Sequence, residues 1–307
     1  MTNRLGRWMA AAGLLTASAG ITGCGGGSGA AYAPTENPTL WAVAWQQNAA
    51  EYRANAMSVY VAAKGQLDAA LADTSWTAAT EQTGDFASKP PAIILDVDET
   101  VLDNSPFQAR AIHTGVGYPE GWAAWCKEAR ATPVPGALAL TRYAASKGVT
   151  VFYVTNRDVD LDEATTRNLA EQGFPMAKDA EGKAVNVVLT ANETDKDGSE
   201  KTARRALVAK DYRVIMLFGD NLGDFITKKG GAKADAAARA KAITDNAERW
   251  GRQWFMLPNP MYGYWADVQF GYKYDQPEDW KRQQMVEKLR PMFDEKTLPS
   301  GQATGSR

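Results

Sequence analysis

The feature that most constrains the fold of this chain is a set of short, almost wholly apolar runs separated by longer stretches of helical composition. The runs occupy residues 92–97, 149–154, 185–189, 214–218 and 254–257. Each is too short for a buried helix and most are rich in Val and Ile, which favours strands. They are continuous rather than alternating, so both faces of each strand are covered, and the stretches 136–146, 161–172, 200–210 and 232–250 are the helices that cover them. The expectation is an α/β fold with a Rossmann-like parallel sheet. Upstream, Trp41, Val43, Trp45, Tyr52, Met57, Val61 and Leu67 recur at helical spacing and predict one or two amphipathic helices.

Ligands of such sheets sit beyond the carboxyl ends of the strands. The first run continues into Asp96-Val97-Asp98-Glu99-Thr100, so an apolar strand delivers two carboxylates to that edge. The run at 214–218 continues into Gly219-Asp220-Asn221-Leu222-Gly223-Asp224 and delivers two more. Four carboxylates in one cleft repel one another unless a cation compensates, which predicts a hard, oxygen-liganded metal such as Mg2+. A helix-loop-helix calcium site is excluded: Val101 stands where its glycine should be, Phe107 where its glutamate should be, and the upstream segment is strand-like. Thr155 and Asn156 end the second run, with the Thr155 hydroxyl available to a phosphoryl oxygen. Lys201 opens a helix expected to be capped by Ser199, nearer the sheet edge than Lys210 and so the better phosphate ligand. Lys196 is the second candidate.

The 307 residues hold 34 Lys and Arg against 36 Asp and Glu without long single-sign runs, so no nucleic acid polymer is expected as partner. Arg4 and Arg7 precede an uncharged stretch that ends in Ile21-Thr22-Gly23-Cys24. This reads as a signal peptide over 1–23, closed by a sequence that resembles the lipobox of bacterial lipoproteins, with Cys24 acylated. Acyl chains add about 0.8 kcal/mol of membrane affinity per buried methylene, enough to anchor the chain to a bilayer. Gly25 after the cysteine favours the outer membrane in the sorting pattern of such lipoproteins; neither its periplasmic nor its surface face is specified. Residues 24–37 have linker composition. Cys126 is the other cysteine of the sequence, so an acylated Cys24 leaves it no internal disulfide partner.

Taken in order, Asp96 to Thr100, Val154-Thr155-Asn156, Lys201 and Gly219-Asp220-Asn221 resemble the haloacid dehalogenase superfamily. Within it, residues 96–106, 152–157 and 219–225 are similar to the class C acid phosphatases, a group of bacterial outer-membrane lipoproteins that includes 5'-nucleotidases. The resemblance spans roughly residues 40 to 290. It implies a haloacid dehalogenase-like core and hydrolysis of small phosphate monoesters in two steps: Asp96 attacks phosphorus, and water hydrolyses the aspartyl phosphate. Asp98 would be first acid, then base. One Mg2+ per subunit would be held by Asp96, Asp220 and the backbone carbonyl of Asp98, with Asp224 in support, while Thr155 and Lys201 orient the phosphoryl oxygens. Trp122 and Tyr262 would stack on the base of a nucleoside monophosphate. Trp125, three residues after Trp122, is as well explained as core.

His113 is the only histidine, which argues against histidine-nucleophile and binuclear-metal phosphatases. Two other functions stay open at this point: a surface lipoprotein that binds a phosphorylated nutrient or cofactor without turnover, and a phosphotransferase with the same chemistry. The catalytic domain is expected over 38–295, with its core at 90–103 and 135–275. A smaller helical subdomain, drawn from 38–75, 104–134 and 276–295, would roof the cleft, followed by a tail at 296–307. The sequence leaves room for an oligomer.

Overall fold

The computed structural model describes residues 33–192 and 198–290. In chain order the principal elements begin with α1 (Leu40–Asn48), α2 (Ala50–Ala72), β1 (Pro91–Leu95), β2 (Leu102–Asp103), α3 (Ser105–Thr114), α4 (Trp122–Glu128) and β3 (Thr132–Pro133). There follow α5 (Ala137–Ser146), β4 (Thr150–Asp158), α6 (Asp162–Glu171), β5 (Val188–Ala191), α7 (Thr202–Asp211) and β6 (Arg213–Gly219). The last are α8 (Ala236–Asp245), β7 (Trp254–Met256), α9 (Tyr264–Asp267) and α10 (Glu278–Lys288).

Five strands pair in parallel in the order β5-β4-β1-β6-β7, as the apolar runs predict. β1 is central, with Leu95 in register with Tyr153 of β4 and Phe218 of β6. Every residue of β6 is buried, and so are four of the five in β1. That burial on both faces is why these strands read as uninterrupted hydrophobic runs.

The N-terminal helices divide between two environments. α2 buries Tyr52, Ala56, Tyr60, Ala63, Leu67 and Ala70, spaced three or four apart on one face. Ala56, Tyr60, Ala63, Leu67 and Ala70 belong to the same hydrophobic core as the sheet, and the Tyr60 ring stacks on Phe218 of β6 at 5.8 Å. The far end of α2 is tied to the sheet by Arg213, whose guanidinium donates to the carbonyls of Ala70, Leu71 and Asp73. A cation on the terminal carbonyls of a helix also complements the helix dipole. α2 is therefore part of the main core, whereas the sequence reading placed it in the roof. α1 packs elsewhere: Val43, Ile112 of α3 and Met261 form a separate small cluster with Leu40, Ala109 and Tyr262 around them. α3 and α4 lie between β2 and β3, and that two-residue antiparallel ladder clamps the base of the insert. His113 is exposed on α3, as expected of an insert residue.

Among the described residues, no helix is long and apolar enough to cross a membrane. Residues 1–32, with the signal peptide, Cys24 and most of the linker, lie outside the described residues, as do Lys196 and the segment after 290.

Candidate active site

The carboxyl ends of β1, β4 and β6 converge, and the predicted residues converge with them. Asp96 follows β1, and its amide donates to Phe218 O of β6 at 3.0 Å. Asp220 follows β6, and Asp224 comes back over the strand end on a short 3-10 turn, Leu222–Asp224. Gly219 makes that return feasible: a Cβ there would lie 2.2 Å from Asp224 Oδ2, so any other residue would push the carboxylate away. Asp224 Oδ2 instead accepts from Asn221 N at 2.9 Å. One oxygen each from Asp96, Asp220 and Asp224 lies within 4.8 Å of the others.

Lys201 enters from the start of α7 and is almost fully buried. Its ammonium donates to Asp96 Oδ1 and, at 2.7 Å, to Asp224 Oδ1. Burial works against that positive charge, but Asp224 and Asp96 outweigh it and hold the ammonium above its ordinary range. The helix starts two residues later than the sequence suggests: α7 begins at Thr202, Lys201 is its N-cap, and the Thr202 amide is met by Glu200 Oε1 at 3.2 Å rather than by Ser199. The acceptor is a carboxylate two residues back that returns to the helix start.

Asp220 is paired with neutral groups. Its Oδ2 accepts from Asn259 Nδ2 at 2.8 Å, and the Thr100 hydroxyl stands 3.4 Å from both Asp220 Oδ1 and Asp96 Oδ2. Burial, reinforced by Asp96 and Asp224, pushes Asp220 well above the usual carboxylate range. Burial also raises Asp96, with Lys201 opposing and Asp224 and Asp98 adding to the rise. With all three carboxylates ionised, one ammonium leaves the cluster two negative charges in excess, which is the state that the raised values of Asp96 and Asp220 resist without a cation. An all-oxygen, carboxylate-rich donor set with that deficit fits a divalent hard cation.

Asp98 stands apart from Lys201 and is paired with Arg157. The Thr155 hydroxyl faces Asp98 Oδ2 at 3.3 Å and accepts from Arg157 N at 3.1 Å. Asn156 is exposed, and its Oδ1 accepts from Arg204 Nη2 at 3.1 Å. Arg204, fully buried on α7, also donates to Thr155 O and so fixes the end of β4. Sequence reasoning missed Arg157, Arg204 and Glu99. Arg157 and Glu99 each had a visible signal, as members of the Phe-Tyr-Val-Thr-Asn-Arg and Asp-Val-Asp-Glu-Thr stretches; Arg204 had none.

Glu99 is fully buried with φ +58°, a backbone conformation costly outside glycine and concentrated at functional sites. Its carboxylate accepts from Tyr262 Oη at 2.9 Å, Gln46 Nε2 at 3.2 Å and Asn104 N at 3.1 Å. Burial, with Asp103 as the next contributor, pushes it up to about 8. Tyr262 is half-buried beside it. Trp122 is half-buried too, edge-on to Phe107 at 5.1 Å, with the Arg157 guanidinium 5.5 Å from its ring centroid. Both aromatics are thus one residue removed from Asp98. Trp125 is core: it is 3% exposed, and its indole N–H donates to Asn104 Oδ1 at 2.8 Å. Cys126, next to it, is buried, and burial pushes its thiol up to about 12.

Comparison with known proteins agrees with this geometry. Residues 30–265 match the family described as HAD superfamily, subfamily IIIB (Acid phosphatase). The class C acid phosphatase from Bacillus anthracis is 35% identical, over 83% of this chain and 98% of that one, with a TM-score of 0.70. A crystal structure of the Bacillus anthracis class C acid phosphatase with tungstate bound matches at 36% identity, with the same coverage and TM-score.

Proposed function

We propose a reaction course from one premise: this chain belongs to the HAD superfamily acid phosphatases of subfamily IIIB, the class C group, and hydrolyses small phosphate monoesters. The course is a double displacement. Asp96 attacks the phosphorus, the ester oxygen leaves with a proton from Asp98, and water activated by Asp98 then hydrolyses the aspartyl phosphate. The observation that carries this reading is the division of labour among the carboxylates. Asp96 lies in the cluster of three with its charge opposed by Lys201, while Asp98, two residues on, is held outside that cluster by a guanidinium.

Mg2+, one per subunit, would be held by Asp96 and Asp220 with Asp224 in support and the Asp98 carbonyl adjacent; bound there, it supplies charge compensation for the phosphoryl oxygens. Lys201 orients Asp96 and faces those same oxygens, and the Thr155 hydroxyl stands beside Asp98 where it can meet one of them. Tungstate, bound by the Bacillus anthracis enzyme, is a tetrahedral oxyanion like phosphate, which supports an anion site in this group. The preferred esters on this reading are nucleoside 5'-monophosphates, with Trp122 and Tyr262 offering faces to the base.

Lipidation of Cys24 and residence at the outer membrane are further parts of the proposal, supported by the sequence of residues 4–25. A catalytic domain spanning 38–295 belongs to it as well.

The test is phosphate release from a panel of monoesters by protein lacking residues 1–24, with Mg2+ or with chelator, beside Asp96→Asn. Metal-dependent release, lost in the variant, together with a phosphate adduct on the Asp96 peptide after acid quench, is expected. Release that survives Asp96→Asn would overturn the nucleophile.

A further inference from the structure

Asp98 has two oxygens in unlike surroundings. Oδ1 accepts three hydrogen bonds: from Arg157 Nε at 3.0 Å, Arg157 Nη2 at 2.8 Å and Asn104 Nδ2 at 2.8 Å. Oδ2 has the Thr155 hydroxyl at 3.3 Å. The Asp98 side chain is 18% exposed, whereas that of Arg157 is 1% exposed, so the carboxylate faces the cleft from an interior mount. The mount is itself fixed. Arg157 Nη2 donates to Asn104 Oδ1 at 3.2 Å, Nη1 donates to Thr165 Oγ1 at 3.3 Å, and the guanidinium lies against the Trp122 ring.

A carboxylate oxygen has two lone pairs, and one that already accepts three donors, two of them from a cation, has none left for a proton. We propose that Arg157 is a positioning residue for the phosphatase reaction, restricting Asp98 to proton exchange through a single oxygen, Oδ2, aimed at the ester oxygen. The inference rests on the reading of Asp98 as the general acid. In the step it governs, the bond between phosphorus and the ester oxygen breaks with its electron pair going to that oxygen. The proton on Oδ2 moves to the same oxygen, and Asp98 is left as a carboxylate whose new charge the guanidinium already faces. In the second step Oδ2 takes a proton from the attacking water and is reset. The planar fork of arginine places two donors on one oxygen while a third nitrogen reaches Thr165; a lysine ammonium cannot reproduce that geometry.

Leaving groups that differ in their need for a proton make the test. Nitrophenolate departs without one, whereas an alkoxide requires it. Arg157→Gln and Arg157→Lys are therefore each assayed on p-nitrophenyl phosphate and on a primary alkyl phosphate, beside Asp98→Asn. General acid catalysis contributes about 10²–10⁴-fold, so kcat/KM, which covers the steps through departure of the ester oxygen, is expected to fall at least about tenfold further on the alkyl ester than on the nitrophenyl ester in all three variants. A structural role alone would lower both substrates equally. Equal losses in the Arg157 variants, with a differential loss in Asp98→Asn, would overturn the inference and leave the acid assignment standing. Absence of a differential in Asp98→Asn would remove the acid assignment and the inference together. Should neither Arg157 variant fold, Asn104→Ser removes the third donor on Oδ1, and the same differential, in the same direction, decides the question.

Discussion

Lys201 Nζ donates to Asp224 Oδ1 across 2.7 Å while also bonding Asp96, so one buried ammonium serves two carboxylates from different strand ends. Removing one partner of a buried ion pair costs about 3–5 kcal/mol because the remaining charge is uncompensated. Lys201→Met keeps the length of the side chain and discards the charge. It is expected to lower the thermal transition of the metal-free protein markedly and to reduce kcat by about 10²–10³, the cost typical of losing one preorganised charge-stabilising donor. Thermal melts and steady-state rates check this.

The charge deficit of the Asp96, Asp220 and Asp224 cluster predicts linkage to divalent cation. Mg2+ at a hundredfold excess over its Kd should stabilise the chelator-treated protein by about 2.7 kcal/mol. Asp220→Asn should abolish most of that stabilisation, because Asp220 alone among the three has no ammonium bonded to it. Melting curves with and without Mg2+ measure both.

Gly219→Ala tests the close approach at the strand end. With its Cβ 2.2 Å from Asp224 Oδ2, the alanine must displace that carboxylate, so the variant should lose Mg2+-dependent stabilisation while keeping a helical far-UV spectrum. Isothermal titration with Mg2+ on the folded variant gives the answer.

Glu99 sets a pH dependence whose sign follows from its raised value. Folded, its carboxyl titrates near 8; unfolded, near 4.5. Between those values the folded state carries a proton that the unfolded state lacks, so stability falls as pH rises through the window, by at most about 1.4 kcal/mol per pH unit. The metal-free protein should melt at a higher temperature at pH 5 than at pH 8. Glu99→Gln should reduce the slope without abolishing it, because burial raises Asp96 and Asp220 as well, and a series of melts across that range checks it.

Trp122 should separate substrates. Base stacking on an aromatic is worth about 1–3 kcal/mol, so Trp122→Ala should raise KM for nucleoside monophosphates by about tenfold while leaving KM for a small alkyl ester nearly unchanged. A matched rise on both substrates would assign Trp122 to support of Arg157 instead.

The strands and the placing of carboxylates at their ends were legible because each depends on local sequence: a strand buried on both faces is an apolar run, and the acid that follows it lies at the sheet edge. The position of α2 was not legible. Half of its buried face is alanine, at 56, 63 and 70, and exposed Met57 and Val61 blur the contrast between its two faces. The roles of Arg157 and Glu99 were hidden for a different reason. A buried arginine looks like any other in the sequence until a carboxylate 59 positions away is brought against it. The left-handed backbone that turns Glu99 inward has no side-chain signature of its own. The start of α7 was misread by two residues because Ser199 is a stronger capping residue on paper than the Glu200 carboxylate that meets the first amide.

Thr100 and Asp220 are 120 positions apart in the chain and share the same few ångströms of the cleft, and Asn259, which holds Asp220, comes later still. No short stretch of the polypeptide therefore contains the site. Protein ending before residue 259 should be catalytically silent however much of the sheet it can form, and recovered turnover after dilution from denaturant times the docking of β6 onto β1 together with the Asn259 segment that follows β7. Activity in this chain is a report on completion of the sheet from its centre to its β7 edge.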